Sequence, residues 1–513
     1  MYLHSYRRFG SMAKRSLILL GFIVAKFILQ YWLVLPDYDL HRDEYLHLDQ
    51  AHHLAWGYLS VPPFTSWIAL LISWLGNSMV LVHFFPALFG ALTILIVWKT
   101  VEELTDSLFA CVLAVSCLLF SVLLRLNQLF QPNSLDVLCW TTLYFVLIKY
   151  IHSKQTRWLY ILGIVFAVGF LNKYNVVFLL VGFLPALLLT EQRTVLRNRH
   201  MYGALLVGLL LMAPNLFWQY QHAFPVVHHM RLLAQTQLVH VNRADFLMEQ
   251  ILFFIGSWVV ILGGLYGLLV YKPFEQYRSF FYALIFTLSA FLFLRAKGYY
   301  AIGIYPIYMA FGATFLAVKV KSIGVRAALV ALPILFFIPL YQVAFPNQTP
   351  QAIAQHSERY KKWGLLRWED GKDHALPQDF ADMLGWRELA TKVDTVYSRL
   401  ADPQATLVLC DNYGQAGAIN YYTRQGIKAV TFNADYIDWF DLTKKYKHLI
   451  RVKSAEGSAD ELKETSPFFT TAYVAASITS PFARERGTTI YVFQQAKVNI
   501  TSRLAKEIAE ERW

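Results

Sequence analysis

The side chains best suited to chemistry stand in four short polar stretches: His41-Arg-Asp-Glu-Tyr, Gln131-Pro-Asn-Ser-Leu-Asp, Leu171-Asn-Lys-Tyr-Asn and Arg295-Ala-Lys-Gly-Tyr-Tyr. Together they supply the acids Asp43, Glu44 and Asp136 and the cations Lys173, Arg295 and Lys297. A fixed carboxylate can take the proton of an attacking hydroxyl or amine. Lysine and arginine can neutralise a phosphate while negative charge builds on it. Such a set suits attack on a carbon whose leaving group is a phosphate. Each residue also has a plainer reading. Asp43 and Glu44 would make an ordinary helix start, and Asp136 a partner for Arg125 or Lys173.

What must position these groups follows from composition. The 513 residues are 16% charged, against about 25% for a soluble domain, and 56% hydrophobic, with a mean hydropathy of +0.39. An aromatic content of 16% excludes disorder, and four cysteines, three of them in apolar runs, exclude a disulfide scaffold. The net charge of +12 is spread through short loops, with no basic stripe for nucleic acid. Apolar runs of roughly 17 to 25 residues cross a bilayer. About eleven are read, near 16–36, 79–99, 107–125, 134–151, 158–172, 174–190, 201–217, 250–271, 279–295, 299–318 and 326–345. The first follows Arg7, Arg8, Lys14 and Arg15 but no small-residue cleavage site, so it is read as an uncleaved span.

With the N-terminus inside, sixteen loop lysines and arginines fall inside, and seven outside: Arg42, Arg125, Lys173, Arg231, Arg243, Arg295 and Lys297. This orientation puts the first loop, 37–78, and the tail after residue 345 outside. It also gathers the acids and cations on that one face, where positive charge is disfavoured and needs a reason. A shared site explains the set better than separate pairings do. In the first loop Leu48, Ala51, Leu54, Ala55 and Tyr58 recur at helical spacing, which predicts an interfacial amphipathic helix over 45–58 with Asp43 and Glu44 at its start. The tail, 346–513, alternates helix-like 385–394 and 414–425 with strand-like 405–411, 427–432, 448–452 and 488–493, which predicts a soluble α/β domain.

The motif order then carries a resemblance. Asp-Glu in the first loop, Trp56-Gly-Tyr with Pro62-Pro shortly after, Gln131-Pro-Asn-Ser-Leu-Asp, Leu171-Asn-Lys-Tyr, and Lys297-Gly-Tyr-Tyr before Ile304-Tyr-Pro resemble the family 39 glycosyltransferases of GT-C architecture. These are relatives of protein O-mannosyltransferases and of the enzyme that adds aminoarabinose to lipid A. The resemblance covers about 16–345. Gly385-Trp and Asp411-Asn-Tyr-Gly-Gln-Ala-Gly-Ala-Ile look like the extracytoplasmic domain of bacterial members. It implies a GT-C transmembrane catalytic domain over 1–345 that moves a sugar from a polyprenyl-phosphate carrier, with inversion, to an extracytoplasmic lipid, glycan or protein. By the same resemblance Asp43 is the base, Glu44 positions acceptor or metal, and Asp136 is a second acid. Lys297 and Arg295 meet the lipid phosphate, Tyr299 and Tyr300 border it, and Lys173 shares the face. The implied setting is a bacterial inner membrane, among membrane lipids, with the tail periplasmic. A divalent metal is left open; its ligands, if one binds, would be Asp43, Glu44 and Asp136, since no tight His or Cys spacing is present.

The long loop 216–249 carries His222, His228, His229 and His240, with Trp218, Tyr220 and Phe224. His228 and His229 are read as donor or acceptor contacts, against a plainer reading as headgroup packing in the aromatic belt. Asn347-Gln-Thr and Asn499-Ile-Thr are glycosylation sequons in the outer tail. Two other classes remain in play. A multi-span transporter would place its charges at mid-helix, and a lipid-phosphate-binding sensor would leave the acidic first loop without a purpose.

Overall fold

The computed structural model describes residues 2–236 and 238–511. The side chains of 2–12, 236 and 240 lie outside the described set, and Arg7, Arg8 and His240 with them. Two compact units divide the chain. One comprises Met1–Trp32, Trp56–Thr65 and Val80–Phe345, the other Leu33–Ala55, Ser66–Met79 and Pro346–Trp513.

The first unit is helical. Every apolar window read from the sequence holds helix, yet fewer reach spanning length as single straight pieces. By length and composition alone, five helices suffice among the described residues: Met79–Leu104, Asn133–Ser153, Arg199–Gln221, Gly298–Lys319 and Ile323–Tyr341. Two more spans arise if bent pairs are joined, Tyr174–Leu188 with Glu191–Arg197 at 115° and Arg243–Phe253 with Ile255–Val270 at 64°. The first window lies in Tyr2–Trp32, a 31-residue helix, and the other remaining windows are shortened by turns. Arg157–Asn172, at 16 residues, rises about 24 Å against a hydrocarbon core of about 30 Å. Burial divides the spans into two kinds. Arg199–Gln221 leaves Leu206 at 58% and Leu210 at 64% exposed, an apolar stripe suited to lipid. Gly298–Lys319 is enclosed, with Tyr305, Tyr308 and Phe311 at 1% exposure or less.

The second unit contains a five-stranded sheet in the order β2-β1-β3-β5-β4, with β1 Thr406–Cys410, β2 Ala429–Thr431, β3 His448–Lys453, β4 Phe469–Ser477 and β5 Thr489–Ala496. β1 is parallel to both β2 and β3, and the antiparallel pairs β3·β5 and β4·β5 complete it. Four of the five strands are the ones expected. β4 is an edge strand, and its Thr-Thr-Ala-Tyr-Val-Ala-Ala run is mostly exposed, so it lacks the apolar alternation that marked the others.

The first-loop helix departs from its expected form. It spans Arg42–Gln50, ends at Ala51, and buries Glu44 through Gln50. No amphipathic helix extends to residue 58. Its start is fixed by a capping box: His41 accepts the Asp43 amide N–H, and the Glu44 carboxylate accepts the His41 N–H at 2.7 Å. The helix packs within its own unit against Tyr413–Tyr422. Gly417 permits the approach, because a Cβ there would lie 2.7 Å from the Tyr45 Cβ.

Candidate functional site

In the helical unit, two of the polar motifs bind each other residue by residue. Asn172 Nδ2 donates to the Pro132 carbonyl at 2.8 Å, Lys173 Nζ to Asn133 Oδ1 at 2.7 Å, and Asn175 Nδ2 to Asp136 Oδ2 at 2.9 Å. The ladder is possible because Asn133–Ser153 begins at the first motif and Arg157–Asn172 ends at the second, so the two helix ends meet. Asp136 Oδ1 also accepts the Trp140 indole N–H at 3.0 Å. Both of its oxygens therefore take neutral donors from the protein, the arrangement of a buried structural acid.

The third motif closes over the ladder. Asn175 Nδ2 reaches the Tyr300 carbonyl at 3.0 Å, and the Lys173 ammonium lies 4.6 Å from the Tyr300 ring centre and 5.1 Å from that of Tyr299. Lys173 lies in the field of both Asp136 and Lys297. Lys297 is half-buried and its field also reaches His229. Burial holds the His229 imidazole below its usual range, and the charges of His228 and Lys297 add to this. His228 is exposed. The structure thus gathers Lys173, Lys297, Tyr299, Tyr300, Asp136 and His229. Arg295 turns elsewhere: it is exposed and donates to the Val239 carbonyl at 3.2 Å.

Several partners in this cluster were not anticipated. Asn133 and Asn175 look like loop residues in the sequence, and only their place in polar motifs beside a charge marks them. Glu249 and Gln250 hold the Gly298 peptide, Gln250 Nε2 donating to its carbonyl at 3.1 Å and the Glu249 carboxylate taking its N–H. A Cβ on Gly298 would sit 1.8 Å from Glu249 Oε2. Lys26 is 2% exposed inside an apolar helix and donates to Gln30. Its signal was legible, since an ionisable residue within a span is rare. His222 stacks on Trp218 with ring centres 4.1 Å apart, within its own helix.

In the second unit Asp43 stands at the start of the Arg42–Gln50 helix with its side chain 37% exposed. Its Oδ1 accepts the Tyr413 hydroxyl at 2.7 Å, and its Oδ2 lies 3.8 Å from His41 Nδ1. Burial of the group opposes ionisation, but His41, the Tyr413 hydroxyl and Arg42 outweigh it and hold the carboxyl below the usual range. Arg42 lies 4.6 Å from the Tyr413 ring centre. Glu44 is fully buried in its capping bond. The motif at 411–419 therefore has a structural account: Asn412 caps its helix by accepting the Gln415 N–H, Tyr413 reaches Asp43, and Gly417 admits Tyr45.

The three carboxylates do not fit a preformed divalent site. Glu44 closes a cap, Asp136 is filled by Trp140 and Asn175, and Asp43 Oδ1 is taken by Tyr413. Among the described residues no group of three or more His, Cys, Asp or Glu side chains is placed to hold a metal ion.

Residues 60–218 match the family model described as dolichyl-phosphate-mannose-protein mannosyltransferase. Among curated proteins no sequence matches the chain. Among solved structures the chain is similar to ArnT from Cupriavidus metallidurans bound to undecaprenyl phosphate, with a TM-score of 0.60 and 14% identity over 94% of this chain and 98% of that one. The apo state of the same protein gives 0.60 and 13% over 96% and 99%. An Archaeoglobus fulgidus oligosaccharyltransferase tethered with an acceptor peptide aligns with a TM-score of 0.50 and 12% identity over 93% and 74%. At such identities the likeness defines the fold. Fold and family match together define the class: a polytopic membrane protein of GT-C architecture, with a small C-terminal sheet domain. It is a glycosyltransferase, and residues 60–218 match the mannosyltransferase family model.

Proposed function

We propose that this glycosyltransferase takes its sugar from a polyprenyl-phosphate carrier and delivers it, with inversion, to an acceptor hydroxyl or amine outside the membrane. The observation that carries the reading is the cluster of Lys173, Lys297, Tyr299 and Tyr300 in a fold shared with a protein crystallised with undecaprenyl phosphate. Two ammonium groups in mutual repulsion are stabilised by an anion between them. A lipid phosphate supplies one. As the bond from the anomeric carbon to the phosphate oxygen breaks, charge grows on that phosphate and the two lysines stabilise it. The acceptor oxygen or nitrogen forms the new bond to the same carbon from the opposite face, and its proton passes to Asp43, which stays ionised beside His41, Tyr413 and Arg42. Glu44 fixes the start of the Asp43 helix. Asp136 orders the Lys173 loop, and His228 and His229 face the headgroup side of the donor. Residues 1–345 form the catalytic membrane domain and 346–513 a domain outside, in the orientation of a bacterial inner-membrane enzyme with its N-terminus in the cytoplasm.

The test uses purified protein incubated with a total bacterial lipid extract, with mass spectrometry following the conversion of polyprenyl-phosphate sugars to polyprenyl phosphate. The parent converts them. Asp43→Asn, folded, converts about 10² to 10⁴ times more slowly, the usual scale for a lost general base. Parent-like conversion by that variant removes Asp43 from the chemistry, and no conversion by the parent removes the donor assignment.

A further inference from the structure

The base is not built from the first loop alone. We infer that Tyr413, carried by the C-terminal part of the chain, is a positioning residue for Asp43, aiming and holding its carboxylate by a hydroxyl hydrogen bond. The inference rests on the reading of Asp43 as the base. It starts from a geometry that a simple packing contact does not need. The Tyr413 hydroxyl donates to Asp43 Oδ1 at 2.7 Å, across 370 residues of sequence. The Tyr413 ring is itself fixed, with the Arg42 guanidinium 4.6 Å from its centre and its backbone in the first turn of a helix whose cap, Asn412, accepts the Gln415 N–H at 3.0 Å. Asn412 is held in turn by the Glu485 carboxylate, which accepts from its Nδ2 at 3.2 Å. Gly414 and Gly417 bring this helix against the Asp43 helix: a Cβ on Gly414 would stand 3.1 Å from the Arg42 Cβ.

The chemistry of the pair supports the role. Burial and the neighbouring Asp43 charge push the Tyr413 phenol far above its ordinary range, so it stays a neutral donor throughout the working pH. A neutral donor lowers the cost of the carboxylate without adding a charge that would compete for the acceptor. The charged and titratable groups that act on Asp43 include His41, Arg42 and His47 from its own segment and Tyr413 from the facing helix. Asp382 stands behind, 3.7 Å from His41 Nε2. Removing the Tyr413 hydroxyl therefore leaves Asp43 a looser carboxylate that protonates more readily.

The experiment compares Tyr413→Phe with the parent in the lipid-extract conversion assay across pH, and titrates undecaprenyl phosphate onto each. Conversion is expected to fall about tenfold and the acid limb of its pH profile to move up by about one unit, a tenfold change in the proton affinity of the base. Affinity for undecaprenyl phosphate stays at the parent value. A second variant guards against misfolding: 3-fluorotyrosine at position 413 keeps the shape, donates more strongly, and moves the limb downward. An unmoved limb in both variants overturns the inference, as does a carrier affinity that falls in step with conversion, since general unfolding would do that. Failure of the underlying reading shows differently. If Asp43→Asn converts like the parent, the base is misassigned, whereas an inactive Asp43→Asn with an unmoved Tyr413→Phe limb sinks the positioning role alone.

Discussion

Lys173 and Lys297 carry like charge into one cluster, and that has a measurable consequence. Asp136 offsets part of that repulsion at Lys173, and an anion bound between the two lysines would offset more. Lys297→Ala and Lys173→Ala are each expected to weaken undecaprenyl phosphate binding about tenfold or more, the scale of one charge-assisted contact. Lys297→Arg should be only partly tolerated, because a planar fork does not reproduce a compact ammonium. If both alanine variants bind the carrier like the parent, the lysines merely reach toward headgroups and the donor site lies elsewhere. Asp136 gives a contrasting outcome. Both its oxygens accept neutral donors, from Trp140 and Asn175, so Asp136→Ala strands two buried N–H groups and should cost about 1 to 3 kcal/mol of stability. A lowered melting temperature with residual conversion fits that role, and an unchanged melt with abolished conversion would make Asp136 a chemical group. In the sequence, these residue types and their shared face were legible because a bilayer makes every outer charge conspicuous. The Asn172, Lys173 and Asn175 ladder onto 132–136 was not, because hydrogen bonds between loop motifs leave no periodicity.

At the scale of elements, the junction of Arg42–Gln50 with Tyr413–Tyr422 buries a titratable group in the second unit. Asp49 sits in that junction, 9% exposed, accepting the Tyr436 hydroxyl at 2.6 Å and Asn420 Nδ2 at 2.7 Å. Burial outweighs both bonds and raises its carboxyl from 3.8 to about 7. A raised folded pKa means that the stabilising contribution is complete below the unfolded value near 4, is lost as pH climbs toward 7, and changes little beyond. The span amounts to about 4 kcal/mol at 1.36 kcal/mol per unit. His47 and His53, held low by burial, gain stability over the same window. The comparison is therefore parent against Asp49→Asn, which keeps an acceptor for both donors. The melting temperature of the parent minus that of the variant should fall steadily from pH 4.5 to 7.5, and a flat difference would mean that Asp49 is ionised throughout at no cost. This junction also marks the limit of the sequence. The small residues of 411–419 stood out as a motif, but their partner lay hundreds of residues away. The first-loop periodicity suggested an interfacial helix, although Tyr45 near its start faces Trp386, Tyr421 and Tyr422 in the same unit and Leu54 stays exposed. Periodicity reports that a face is covered and is silent about what covers it.

For the whole molecule, charge sets which side of the membrane each loop is expected to occupy. Sixteen loop lysines and arginines on one side against seven on the other place the N-terminus inside. Of the seven outer cations, Lys173 and Lys297 belong to the cluster proposed to hold a phosphate, and Arg42 to the surroundings of Asp43. Three of the seven violations of the charge rule thus have another reason for a cation, while Arg125, Arg243 and Arg295 bond to neighbouring backbone or side-chain oxygens. The chain is well suited to a direct test, because Cys111, Cys117, Cys139 and Cys410 are all buried and leave little background for thiol reagents. Arg157 and Ala459 are both exposed, the first in an inner loop by this orientation and the second in the outer tail. In intact cells a membrane-impermeant maleimide should label Ala459→Cys at once and Arg157→Cys only after permeabilisation. The reverse pattern would move the tail, the Asp43 helix and the lysine cluster to the cytoplasmic side, and the acceptor would then have to be sought inside the cell.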